Sequence, residues 1–156
     1  MNEKIKSDHI LILYFSLLTL FFNLYLLYLP CIPKVPDKLI LIVTLLITSS
    51  LIILIPVKLL KYPDQDTPGL IKDILDISHW GYLLIIPIGI LLARSLSVIV
   101  LMICISWFAL ISRTIYSTCP LSQIAEKKTT LRTSEGMVNL YFMICCLIGC
   151  VRIFIN

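Results

Sequence analysis

Long apolar runs, separated by short polar stretches, constrain this chain more than any other feature of its sequence. Each run holds about 20 residues, the length that an α-helix needs to cross roughly 30 Å of hydrocarbon. Because lipid offers no hydrogen-bond partners, a backbone inside it must satisfy its own amide and carbonyl groups, as a helix does. The sequence therefore predicts an all-α, polytopic transmembrane helix bundle.

The overall composition agrees with this prediction. Hydrophobic residues make up 59% of the chain and charged residues 14%, whereas about 25% of a soluble domain is charged. The apolar runs use nearly all of the 156 residues, so we expect one transmembrane domain over residues 1–156 and no soluble domain. The net charge of +4 comes from Lys and Arg residues scattered between the runs, which argues against a nucleic-acid surface.

Five membrane spans give the best account of the sequence. Arg94 interrupts a run of about 32 mainly apolar residues, which is too long for one ordinary span. A charge at mid-bilayer costs at least about 2.5–3.5 kcal/mol, so we place Arg94 at a tight turn between two helices. Four spans with a buried Arg94 remain the alternative. The predicted spans are about 10–29, 39–57, 74–93, 96–112 and 137–154, with an amphipathic lead-in over about 70–79.

The Lys and Arg residues predict the orientation of the chain. With five spans, nine of them fall on the side of the N-terminus and four on the opposite side. Cytoplasmic segments carry the excess of Lys and Arg, so we expect a cytoplasmic N-terminus. The first span exceeds the core of a cleavable signal peptide, which indicates a retained signal anchor. The Ile-, Leu- and Lys-rich composition favours a prokaryotic inner membrane.

Small and polar side chains inside the spans predict where helices meet. Cys145 and Gly149 are four residues apart, as are Cys146 and Cys150, and this spacing puts small side chains on one helix face where backbones can approach closely. We expect this face to pack within the chain, or to bind a partner subunit or a second copy. Hydrogen-bonding side chains are expected to help the first two spans pack: Ser16, Thr19, Asn23, Thr44 and Thr48.

Asp73, Asp76 and His79 form the most suggestive cluster for chemistry. Their three-residue spacing keeps them within an arc of roughly 120° on a helix. Two carboxylates and an imidazole at the membrane interface can hold a divalent cation, or His79 can act in acid–base catalysis. A solvated helix face explains the same spacing, and no recognised metal-binding motif is present. No cofactor is predicted.

Aromatic residues near the ends of the predicted spans have a simpler interpretation. Tyr and Trp collect at the head-group level, where one end of the ring system is apolar and the other is hydrated. We therefore expect interfacial anchors at Tyr28, Trp80, Tyr82 and Tyr116.

Cys119 is the second candidate for chemistry, since the basic residues Lys127 and Lys128 follow it and can favour a thiolate. The Cys119-Pro120-Leu121-Ser122 element, followed by Glu126 and this basic pair, resembles a segment of small bacterial multi-pass membrane proteins of unestablished function. The resemblance covers about residues 117–132 and implies no activity. Cys31 and Cys119 are expected on opposite sides of the membrane, which excludes direct thiol exchange between them, whereas Cys31 and Cys150 can both lie near the outer face.

Three functions remain open from the sequence. The leading hypothesis is an accessory or structural subunit of a membrane complex, without catalysis of its own. The first alternative is a membrane-embedded thiol or metal-dependent enzyme. The second is a small-solute carrier or channel, in which Ser16, Thr19, Asn23 and a buried Arg94 would line a polar path.

Overall fold

A computed structural model describes residues 3–28, 35–62, 67–116 and 135–155. These residues form five α-helices and no strand: α1 (Glu3–Tyr28), α2 (Val35–Lys61), α3 (Gly69–Leu92), α4 (Leu96–Tyr116) and α5 (Glu135–Ile155). Each helix contains a stretch long and apolar enough to cross a membrane. The chain is therefore a multi-pass, all-helical integral membrane protein, as the apolar runs predict.

The division of the longest apolar run into two helices is confirmed. α3 ends at Leu92, and Ala93, Arg94 and Ser95 turn the chain before α4 begins at Leu96. Arg94 is exposed, so the four-span alternative with a buried arginine is wrong. The amphipathic lead-in is not a separate element, because α3 begins directly after Pro68 and continues through it without a break.

Neighbouring helices in the chain pack side by side, and α3 also contacts α5 while α1 also contacts α4. α3 and α4 thus each contact three other helices. Adjacent helices run in opposite directions: Ile40 of α2 lies beside Gly89 of α3, whereas Ile47 lies beside Gly81. One end of the bundle, here called the N-terminal end, therefore gathers the starts of α1, α3 and α5 with the ends of α2 and α4.

Glycines let α4 approach α3 and α5 closely. A Cβ atom on Gly89 of α3 would lie 2.6 Å from Cγ of Met102, and one on Gly149 of α5 would lie 2.5 Å from Cγ1 of Ile103. Cys145 and Cys146 are each 5% exposed, so most of the small-residue face of α5 is used inside the chain. Cys150 is the exposed member of that face.

Two pairs of polar side chains join α2 to α3. The hydroxyls of Thr48 and Tyr82 are 2.6 Å apart, and those of Ser50 and Ser78 are 2.7 Å apart. Tyr82 is only 8% exposed, so its predicted role as an interfacial anchor is wrong. The reason is Thr48, which gives the tyrosine hydroxyl a partner within the core.

The other polar and aromatic predictions have mixed outcomes. Tyr28 and Trp80 are exposed, as anchors should be, and the side chain of Tyr116 lies outside the described part of the chain. Thr44 hydrogen-bonds to its own helix at the carbonyl of Ile40, at 2.7 Å, rather than to a neighbouring helix. Helix packing therefore buries the predicted polar residues without using all of them as cross-links.

α5 compensates for two defects in the hydrogen bonding of α3. Pro87 has no N–H, so the carbonyl of Leu83 loses its usual partner one turn later, and the hydroxyl of Tyr141 donates to that carbonyl instead. The carbonyl of Ile90 lies in the last turn, where no helical donor follows. The guanidinium of Arg152 donates to it at 2.5 Å.

We expect Tyr141→Phe to destabilise the protein by about 1 kcal/mol, within the range of hydrogen bonds measured between transmembrane helices. The same substitution should cost clearly less in a Pro87→Ala background, because alanine restores the backbone donor for Leu83. Unfolding of both pairs of variants in mixed micelles, set out as a double-mutant cycle, measures the difference. Equal costs in the two backgrounds would show that Tyr141 does not compensate for Pro87.

Candidate functional site

A pocket lies between α1, α3, α4 and α5, in the half of the bundle nearest the N-terminal end, and α2 adds Leu51 to its wall. Its volume is about 60 Å³. A single water needs about 10–15 Å³, so the pocket has room for several waters or for part of a small organic molecule.

Two phenylalanines close the pocket between the first and fourth helices. The rings of Phe15 and Phe108 are stacked, with centroids 3.6 Å apart and planes inclined by 3°. Ile12 continues the α1 wall, since it lies three residues before Phe15 and four before Ser16, which also lines the pocket. Most of the lining is apolar, which suits an apolar guest.

Three polar lining residues lie toward the N-terminal end: His79, Ser112 and Arg113. Arg113 is half-buried in the last turn of α4, and its Nε donates to Oδ1 of Asn139 on α5 at 3.1 Å. No ion pair joins Arg113 to a carboxylate in the described part of the chain. The adjacent Ser112 is 4% exposed, and its hydroxyl donates to the carbonyl of Ala109 at 3.0 Å. These contacts hold a positive charge at one end of an apolar space.

His79 also lines the pocket, which gives this residue a different setting from the one its spacing with Asp73 and Asp76 predicts. Asp73 is exposed, while Asp76 and His79 are half-buried. Among the described residues, no group of three or more His, Cys, Asp or Glu side chains is arranged to hold a metal ion. The structure therefore does not assemble these three as a metal centre, and a catalytic role for His79 stays a prediction.

The cysteines divide between the core, the exposed surface and segments outside the described residues. Cys145 and Cys146 are buried free thiols, and Cys104 and Cys150 are exposed ones. Cys31 and Cys119 lie outside the described residues, as do the rest of the Cys-Pro-Leu-Ser element, Glu126 and the basic pair after it. The predicted reactivity of Cys119 is untested.

The polar stripe of α1 begins at the pocket and continues past it. Ser16 lines the pocket, and Thr19 and Asn23 follow it along the helix toward the other end, exposed by 3% and 0%. The Asn23 amide donates to the carbonyl of Thr19 at 2.8 Å, but its Oδ1 has no partner in the described part of the chain. Arg94 is not part of this stripe, because it is exposed at the turn at the opposite end.

Sequence reasoning missed two important charged residues. Arg113 directly follows the predicted span that ends near residue 112, a position where arginine is common, and nothing in the sequence places it on a pocket. Asp37 is 1% exposed, and its Oδ1 accepts a hydrogen bond from the backbone N–H of Arg94 at 2.7 Å. Its position just after Pro36, in the first turn of α2, is a recognisable signal of a helix start.

Comparisons of the chain with models of protein families, with curated proteins and with solved structures found no match. The geometry of the pocket is therefore the main basis for assigning a function. A mostly apolar cavity with a few polar groups at one end has the character of a small-molecule binding site.

Proposed function

We propose that this integral membrane protein binds a small, largely apolar molecule within the bilayer and carries or presents it, without chemistry of its own. The observation that supports this proposal is the pocket between α1, α3, α4 and α5. Its stacked Phe15–Phe108 wall would contact the apolar body of the guest, and its polar end at Arg113 would orient it. Ser16, the first residue of the buried polar stripe of α1, also lines the pocket and would offer the guest a hydrogen-bonding position.

Filling the pocket should abolish binding. Ala109 lines it, so we expect Ala109→Phe to remove saturable binding of radiolabelled decanol to the protein in nanodiscs, after subtraction of binding to empty nanodiscs. Cys104→Phe is the matched control, because it adds the same ring at an exposed position of the same helix. Absence of saturable binding in the wild type, or equal loss in both variants, would contradict the proposal.

A role as an accessory subunit is the second candidate, and it is supported by the outer helices. Only 28% of the membrane-crossing window of α1 and 22% of that of α5 is buried, which leaves most of both surfaces available to another protein. Cys150 is exposed on α5, whereas Cys145 and Cys146 are buried, so the proposed contact would use the surface around Cys150. Oxidative cross-linking of a variant that retains Cys150 alone tests self-association, and a wholly monomeric product would oppose it.

We also propose that the protein lies in a prokaryotic inner membrane with its N-terminus in the cytoplasm. The nine-to-four count of Lys and Arg residues assumes that successive connections lie on alternate sides of the membrane. The alternating directions of the described helices support that assumption. Single cysteines in a cysteine-free background should label from outside with an impermeant maleimide for Lys34→Cys and Ser95→Cys. Asp66→Cys and Thr130→Cys should label only after permeabilisation. The reverse pattern would place the N-terminus outside.

A further inference from the structure

We infer, on the basis of the proposed function, that the pocket selects amphiphiles with an anionic head group, and that Arg113 is the residue that recognises it. The chemical class is a carboxylate or phosphate ester on an apolar chain. Three features of the pocket point to this class: a positioned guanidinium, no carboxylate paired with it in the described part of the chain, and an apolar space directed into the bundle.

The guanidinium of Arg113 is held in place by an uncharged partner, and no carboxylate of the described residues is paired with it. Its Nε donates to Oδ1 of Asn139, an uncharged acceptor, at 3.1 Å. A guanidinium has five N–H donors in a planar fork, and this bond uses one of them. Carboxylates and phosphates match the remaining donors with charge-assisted hydrogen bonds. Asn139 therefore positions the arginine and leaves its charge for an anion.

The location of Arg113 fits the head group of a molecule whose chain points inward. Arg113 lies in the last turn of α4, at the N-terminal end of the bundle. Phe108 and Ile105 line the same pocket about one and two turns earlier than Arg113, deeper in the span. An amphiphile with its anion at Arg113 would place its chain along these side chains and Phe15. A neutral molecule would itself offer the arginine no counter-charge.

The anionic preference should be measured with decanoate and decanol, which share a chain and differ in head group. Binding to wild-type protein in nanodiscs at about pH 9, where the carboxylate is ionised, should be about tenfold tighter for decanoate, as one charge-assisted hydrogen-bonded pair predicts. Arg113→Gln should reduce the ratio of the affinity for decanoate to the affinity for decanol to about one, while decanol still binds. Retained decanol binding shows that the variant's pocket is intact.

Arg94→Gln is the matched control, since it removes one positive charge from an exposed residue at the other end of the bundle. It should leave the ratio near tenfold. The inference would be overturned if wild-type protein bound decanoate and decanol equally tightly, or if Arg94→Gln lowered the affinity ratio as much as Arg113→Gln. Decanol binding would in that case still support the proposed function. Failure of both probes to bind would refute the proposed function itself.

The same probes distinguish two sources of the anion. If a lipid of the bilayer is the natural occupant, nanodiscs containing phosphatidylglycerol should weaken decanol binding relative to phosphatidylcholine alone, because decanol is neutral and insensitive to surface charge. If decanol binds equally in both, a free acid or phosphate ester is the better match. In either case the preference for decanoate over decanol must disappear in Arg113→Gln.

Discussion

Gly149→Ala should destabilise the protein by about 1–3 kcal/mol, the usual cost of inserting a methyl group into a well-packed core. The added Cβ would lie 2.5 Å from Cγ1 and 2.7 Å from Cδ1 of Ile103, so α4 and α5 would have to separate or Ile103 would have to move. Alanine is the better helix former by about 1 kcal/mol, which opposes the loss but does not remove the overlap. Unfolding in mixed micelles measures the net effect.

Gly136→Ala is the control on the same helix, because a Cβ there meets no atom within 4 Å. It should leave stability unchanged or slightly raised. Ile103→Ala removes both overlapping atoms, so Gly149→Ala should cost much less in that background than in the wild type. If Gly149→Ala behaved like Gly136→Ala, α5 would not approach α4 as closely as the structure shows.

Hydrophobic length and charge are enough to predict the helices of this fold. Arg94 divides the longest apolar run correctly, because a lone charge is costly in the middle of a bilayer and cheap at a turn. The helices begin earlier than the predicted spans: α2 begins at Val35 and its span near residue 39, and α3 begins at Gly69 and its span near residue 74. Apolar composition predicts which residues can lie in lipid. The helix can extend beyond them into polar residues, as long as its backbone hydrogen bonds continue.

Side-chain partners across the bundle cannot be predicted in the same way. Tyr82 has the residue type and the sequence position of an interfacial anchor, and only the register between α2 and α3 brings it to Thr48. Similarly, Pro87 signals a defect in α3, but the sequence does not say that Tyr141 fills it. The pocket depends on five helices at once, so no local pattern selects Arg113 among the other basic residues. Local sequence fixes each helix, and helix packing fixes the site.

Replacing Asp37 with leucine should destabilise the protein by about 2 kcal/mol. Asp37 is buried in the first turn of α2, and its Oδ1 accepts a hydrogen bond from the backbone N–H of Arg94 at 2.7 Å. Leucine would leave that N–H without its acceptor, a loss of about 1.5–3 kcal/mol when the acceptor is charged. It would also remove a negative charge that the helix N-terminus favours. Unfolding in mixed micelles gives the magnitude.

Two further variants separate the parts of this interaction. Asp37→Asn keeps an oxygen acceptor and removes only the charge, so it should lower the stability by roughly half as much as Asp37→Leu. Arg94→Gln removes an exposed side-chain charge but keeps the backbone N–H, so it should change stability by less than about 0.5 kcal/mol. If Arg94→Gln were as costly as Asp37→Leu, the two residues would interact through their charges, and the turn between α3 and α4 would be held by an ion pair instead of by its backbone.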